Sequence, residues 1–354
     1  MSTITFSHPW LSGLFAAPRI TPLWSTEAQM VHLLAFERAW TEALVAVGRV
    51  DADAGRLAIA RMDGFVPDIA RLRDGTARDG LVVPELVRQL REGLTRPSAV
   101  HTGATSQDAL DTATVLTLRA VLSVLEEELA ALLAALDELT ERFGERTIMG
   151  RTRMQAALPI RAGHRIANWR EPLAVLQADL PGLKARVLKV QFGGPVGDNQ
   201  ALGADADAVL AHLAGALELA APSRSWHSDR SGLCRVGGWL TELTGALGKL
   251  GQDVCLMAQQ GVGEITLAGG GGSSAMPHKN NPVLAELLVT LARYAAGLNG
   301  TLGQTLVHEQ ERSGTAWTLE WMVLPPLTMA AGCATHTTAG LLNQITSLGP
   351  EPAL

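Results

Sequence analysis

Residues 118–143, LRAVLSVLEEELAALLAALDELTERF, place leucine at 118, 122, 125, 129, 132, 136 and 139 and phenylalanine at 143. The steps alternate four and three without a fault, which is the seam of a long α-helix. Working outward, Val236, Leu240, Leu243, Leu247, Leu250, Val254 and Met257 form a second seam, and Leu173, Leu176, Leu180, Leu183, Val187 and Val190 a third. A fourth runs through Leu284, Leu288, Leu291, Ala295, Leu298 and Leu302. The fifth helical stretch, Trp317 to about Leu342, contains Pro325 and Pro326 and is expected to kink there. Five long helices of this spacing predict an all-α protein built on a parallel-axis five-helix bundle. Apolar residues off the first seam, such as Val121 and Leu133, predict that copies of the chain associate through that bundle.

Ahead of the bundle, Pro9, Pro18 and Pro22 suggest an extended arm. Ser25 can cap a helix with Glu27 in its first turn, continued by Met30, Leu33, Leu34, Ala35, Trp40, Leu44 and Val47 up to Gly48. Shorter helices follow from Asp53 to Arg61 and from Pro84 to Glu92. Together these predict a small N-terminal helical domain over residues 1–105 and a bundle domain over residues 106–354. His32, inside an apolar stretch, reads as structural.

Composition narrows the function. Hydrophobic residues make up 47% of the 354, enough for a sizeable core, and only 4% are aromatic. The net charge of −6 argues against nucleic acid as a partner, because phosphate binding needs a basic face. Cys234, Cys255 and Cys333 are widely spaced with no metal-ligand pattern, which points to a reducing compartment. No cofactor and no metal ion is expected. Charges interrupt every apolar run, so no membrane span is expected and the reading is cytoplasmic.

Chemistry-bearing residues gather where the helical pattern pauses. The stretch Gly269-Gly-Gly-Gly-Ser-Ser-Ala-Met-Pro-His-Lys-Asn-Asn-Pro282 opens with four glycines, which suits backbone that moves or closely approaches a ligand. Asn281 is read as an N-cap with Pro282 in the first turn of the following helix. Ser273, Ser274, His278 and Lys279 then lie beside the positive end of a helix dipole, a combination suited to a carboxylate. A glycine hinge with incidental polar residues is the other reading. Three further stretches are His101-Thr-Gly-Ala-Thr-Ser-Gln-Asp108, Gly150-Arg-Thr-Arg-Met-Gln-Ala-Ala-Leu-Pro159 and Gln191-Phe-Gly-Gly-Pro-Val-Gly-Asp198. On residue type alone the first is equally a helix start, the second a solvated turn and the third a tight connection. His308-Glu-Gln-Glu-Arg312 precedes the last helix, where Glu309 and Arg312 are equally a structural ion pair; His227, beside Trp226, is equally a satisfied buried side chain.

The eleven residues from Gly272 to Pro282 closely resemble the signature loop of the fumarase/aspartase superfamily. The stretch around His101 resembles that of its adenylosuccinate lyases and muconate cycloisomerases, the one around Arg151 resembles the superfamily's second region, and those around Gly193 and His308 resemble the muconate cycloisomerase group, so the likeness runs from about His101 to Trp321. This resemblance implies a homotetramer with active sites shared between subunits and a small tricarboxylate substrate. Superfamily members usually carry a third helical domain at the C-terminus, and this chain ends at Leu354, so that domain is expected to be absent.

Residue by residue, the resemblance implies that Ser273 transfers the proton and that Lys279 and Asn281 hold the carboxylate of an aci-carboxylate intermediate. His101 is the second choice for proton transfer. Thr105, Ser106, Arg151, Thr152, Gln155, Ser274, Met276 and Arg312 are implied to line the substrate. Most lyases of the superfamily have histidine where this chain has Arg153. Arginine stays charged at any working pH, so it clamps a carboxylate and cannot shuttle a proton. The implied reaction is an intramolecular lactonisation; the competing readings are a fumarate-yielding lyase and a bundle protein without activity.

Overall fold

The computed structural model describes residues 5–272, 276 and 279–350. Ten α-helices and two small two-stranded sheets are found among them. The chain enters through short 3-10 turns at Thr5–Ser7, Leu11–Gly13 and Thr21–Trp24 in place of the extended arm. Helix α1 (Thr26–Ala46) begins where Ser25 accepts a hydrogen bond from the Ala28 N–H, as its sequence predicts. Helices α2 (Ala52–Asp63), α3 (Ile69–Asp79) and α4 (Val83–Arg91) follow. The apolar pattern does not announce α3, where only Leu72 and Gly75 are buried. Its ends are set by Asp68, whose carboxylate accepts the Arg71 N–H at 3.0 Å, and by Gly80 at φ +76°.

Helix α5 (Ser106–Phe143) runs for 38 residues, about 57 Å at 1.5 Å per residue. Every leucine of the opening seam is buried on it. A hairpin of β1 (Thr147–Thr152) and β2 (Gln155–Arg161) turns the chain into α6 (Ala162–Val187). Then come α7 (Ala206–Leu217), α8 (Ser231–Met257), β3 (Ile265–Leu267), α9 (Val283–Gly303), α10 (Gly314–Gln344) and β4 (Ile345–Leu348), the last paired antiparallel with β3.

Helices α5, α6, α8, α9 and α10 make the bundle and share one hydrophobic core, while α1 to α4, the start of α5 and α7 enclose a second. Where α8 meets α9 the backbones nearly touch: a Cβ on Gly251 would stand 2.5 Å from the Ala285 carbonyl oxygen, so only glycine permits that approach. Helix α10 is helical from Gly314 to Gln344 with Pro325 and Pro326 inside it, and burial of Val323, Leu324 and Leu327 holds the turns on both sides. Val121 and Leu133 are covered within the chain and leave nothing for a second copy. The apolar side chains that remain exposed on the bundle are others, among them Val175, Tyr294 and Met322.

One polar knot lies inside this apolar bundle. Arg230, just ahead of α8, is 1% exposed and reaches both Asp111 on α5 and Glu320 on α10 with two hydrogen bonds each, at 2.6–3.0 Å. Burial opposes ionisation of both carboxyls, yet the outcomes differ. Asp111 also accepts from Gln107, Gln191 and Trp317, and with Arg230 these donors hold it below the usual carboxylate range. Glu320 has fewer donors, and burial pushes it up. Asp111→Asn is therefore expected to cost about 3–5 kcal/mol of stability, and Glu320→Gln only about 1–2 kcal/mol. Urea midpoints of the two variants check the order; equal losses would mean that the two carboxyls share the guanidinium evenly.

Candidate functional site

Two clusters of the expected residues form, one at each end of the bundle. The first is built around Asp108, in the first turn of α5, which is fully buried. Its Oδ2 accepts the N–H groups of Thr105 and Gly194, each at 3.0 Å, and its Oδ1 pairs with His227 Nε2 at 2.9 Å. One carboxylate thus caps α5, pins the glycine turn of residues 191–198 and orients a histidine. The Gly194 N–H is spent on Asp108, so that turn acts as a structural connection. His227 is buried, with Nε2 on Asp108 and Nδ1 without a partner.

His101 sits at the rim of this cluster, on backbone at φ +62°. Its Nδ1 lies 2.6 Å from Oε1 of Glu37 on α1, and the two side chains are 12% and 1% exposed. Burial works against protonation of this imidazole, but the charge and hydrogen bond of Glu37 outweigh it and raise its pKa. Thr105 is buried and Ser106 half-buried beside it. Arg312 donates to the Pro195 carbonyl at 3.0 Å and makes no ion pair with Glu309, whose side chain turns to Ser313 instead. His308 is held below its ordinary pKa by burial and then by the Arg230 charge.

At the far end the β1–β2 hairpin stands largely exposed. Thr152 pairs with Gln155, leaving Arg153 and Met154 as a two-residue turn at φ +49° and +67°. A turn with both residues left-handed matches the twist of a hairpin and normally takes Asn-Gly, so two side-chain-bearing residues here are strained. Residues 151–159 are exposed, as a solvated turn would be, and beside the hairpin lies a cavity of about 680 Å³, lined by Arg151, Arg153, Arg165, Lys249, Asp253 and Glu264. Glu264 neutralises Arg165 at 3.2 Å and Arg151 at 3.5 Å, and Asp253 takes Lys249. Arg153 has no carboxylate partner among the described residues.

The glycine loop springs from the same end, because β3 follows Glu264 directly. Gly271 and Asn281 exchange both backbone hydrogen bonds, at 2.9 and 3.0 Å, as an antiparallel bridge that closes the loop at its base. A Cβ on Gly271 would meet the Val283 methyl at 2.5 Å. This corrects the expected capping: Asn281 is engaged in the bridge, Pro282 takes the N-cap and α9 starts at Val283. Lys279 is exposed and Met276 is 42% exposed. Ser273, Ser274 and His278 lie outside the described residues.

Within one chain, then, His101, Thr105, Ser106 and Arg312 come together at one end, and Arg151, Thr152, Arg153, Gln155, Lys279 and Asn281 at the other, with the length of α5 between. Glu37 and Glu264 were not foreseen. A signal for Glu37 exists: the α1 seam of Met30, Leu33, Trp40 and Leu44 leaves a gap of seven residues that an acid fills, where a leucine belongs. Among the described residues no group of three or more His, Cys, Asp or Glu is placed to hold a metal ion, and no helix is long and apolar enough to cross a membrane.

Comparison with known proteins agrees along nearly the whole chain. Residues 75–297 match the family profile described as Lyase. A 3-carboxy-cis,cis-muconate cycloisomerase of Pseudomonas aeruginosa is 37% identical over 97% of this chain and 76% of its own length. A nitrosuccinate lyase of Streptomyces davaonensis is 32% identical over 95% of this chain and 75% of its own. The crystal structure of the 3-carboxy-cis,cis-muconate lactonizing enzyme from Pseudomonas putida superposes with a TM-score of 0.89 at 32% identity, covering 96% of this chain and 77% of that one. The bundle, the loop at its end and these alignments agree: the chain belongs to the lyase family of the fumarase/aspartase superfamily.

Proposed function

We propose that the protein converts 3-carboxy-cis,cis-muconate to 4-carboxymuconolactone, a step in the breakdown of protocatechuate. The observation that carries this is Arg153. A permanent cation without a carboxylate partner among the described residues stands over the cavity, at the position where a proton-shuttling histidine would serve an elimination. A third substrate carboxylate gives it a partner, and an internal carboxylate nucleophile makes an external base for water or amine unnecessary. The likeness to cycloisomerases along the chain supports the same reading.

In the reaction one carboxylate oxygen of the substrate bonds to an alkene carbon and closes a five-membered ring. The π pair moves onto the opposite carboxylate as an aci-carboxylate. Lys279 and the Asn281 side chain stabilise that charge, and each 1.4 kcal/mol of preference for it is worth about tenfold in rate. Ser273 delivers its hydroxyl proton to the carbon α to that carboxylate and regains one from solvent, so a trianion becomes a dianionic lactone with uptake of one proton. Arg151, Thr152, Gln155, Ser274, Met276 and Arg312 surround the substrate.

The site closes only between copies. About 57 Å of helix separates the His101 end from the Arg153 end, and a homotetramer with bundles running in opposite directions brings the end of one chain to the other end of its neighbour. The exposed hairpin with Met154 and Leu158, 72% and 73% exposed, is suited to reach across such a contact.

Two experiments test this reading. Loss of the ultraviolet absorbance of the conjugated diene should follow addition of enzyme to 3-carboxymuconate, with no fumarate formed from succinyl substrates; Ser273→Ala and Lys279→Met should each lower kcat by about a hundredfold or more. Fumarate release would favour elimination of the kind named for the Streptomyces relative. Separately, the inactive variants His101→Asn and Arg153→Leu, unfolded together and reassembled, should regain about a quarter of the activity if each site draws on two chains. No regain would place both residues in a site of one chain.

A further inference from the structure

We propose that Glu37 is a positioning residue that keeps His101 charged, so that its Nε2–H serves as a fixed cationic donor to a substrate carboxylate and retains its proton through turnover. This rests on the proposed carboxylate chemistry for its role, though not for the pair itself. Three observations carry it. Glu37 occupies a leucine position in the α1 seam at 1% exposure, a place where an acid is costly unless it is paired. Its Oε1 lies 2.6 Å from His101 Nδ1, while Oε2 is buried without a partner, so the imidazole is the main compensation for its charge. His101 is held in left-handed backbone, and Nε2 has no partner among the described residues, which leaves it free toward the rim.

The surroundings do not compete for the role. Charged groups facing His101 are Glu37 on α1, Asp108 on α5 and Arg91 on α4. Arg91 lowers its pKa only slightly against the two acids, and donates to the Val100 carbonyl at 2.8 Å. Asp108 is engaged by Thr105, Gly194 and His227. Glu37 is thus the one carboxylate in contact with the ring. A histidine whose pKa is raised stays cationic below that raised value and loses its charge as pH rises through it, so carboxylate binding that depends on it fails on the alkaline side.

The test uses Glu37→Gln, which keeps the shape and the hydrogen bond and removes the charge, with Glu37→Asp as the conservative variant. In substrate-free protein labelled at histidine Cε1, with the His101 resonance assigned by its absence in His101→Asn, the His101 titration should move down by about one pH unit or more in Glu37→Gln and recover in part in Glu37→Asp. The alkaline limb of kcat/KM for 3-carboxymuconate should move by the same amount, mostly through KM. An unchanged His101 titration in Glu37→Gln overturns the pairing, whatever the enzyme turns over. A shifted titration with an unshifted alkaline limb overturns the role in binding. If the wild type does not consume carboxymuconate at all, the functional reading fails while the titration still decides the pair.

Discussion

A single guanidinium sets the relation between the helices at one end of this bundle. Arg230 lies buried between Asp111 and Glu320, so three helices that otherwise meet through interchangeable leucines acquire one register. Apolar seams tolerate sliding by a turn; a bidentate ion pair on each side does not. The consequence reaches the site directly. Asp108 is one turn before Asp111 on α5, and His227 is three residues before Arg230, so fixing the ion pair also aims the His227–Asp108 contact. Asp108 in turn fixes Thr105 and Gly194. The rim that carries His101 is backed by this polar core, whose ion pairs and hydrogen bonds hold Asp108 and Asp111 in place even though Gln107 Oε1 and His227 Nδ1 are buried without a partner.

The long helices act as rulers. A straight helix of 38 residues cannot bring its two ends together, and the residues proposed for one site lie at both ends. The proposal of assembly therefore rests less on exposed apolar surface than on that separation. The off-seam Val121 and Leu133 that suggested association are covered within the chain. The hairpin, by contrast, is largely exposed beyond the buried Ile148 and strained at its tip, which is costly for a free arm and reasonable for one that docks.

Much of the fold was legible because the seam period is a local property: residues three and four apart decide it. Four of the five bundle helices, α5, α6, α8 and α9, are placed this way. The same logic explains the misses. Helix α3 buries almost nothing, so its pattern is silent and only its caps speak. The β1–β2 hairpin lacks the Asn-Gly that announces such turns. In the site, the residue types at His101, Arg153 and Lys279 were readable, but the partnerships were not. Glu37 lies 64 positions from His101, and Arg230 lies 119 from Asp111. No sequence periodicity links such pairs; only the packed fold brings them together.

A net negative charge opposes the proposed polyanionic substrate, yet the magnitudes favour binding. Charges beyond about 10 Å are screened at ordinary salt, so the net charge of −6 is weakly felt at any one point. A single cation 4 Å from a carboxylate in a partly enclosed site is worth about 4 kcal/mol, more than the screened background opposes. What matters is which cations are left uncommitted. Glu264 engages Arg151 and Arg165, and Asp253 engages Lys249, while Arg153 has no acid partner among the described residues. That distribution leaves one cation for the third carboxylate of the proposed substrate. It also explains why an arginine is preferred there: a histidine in the same exposed position would be mostly neutral at pH 7, and would hold the third carboxylate only part of the time.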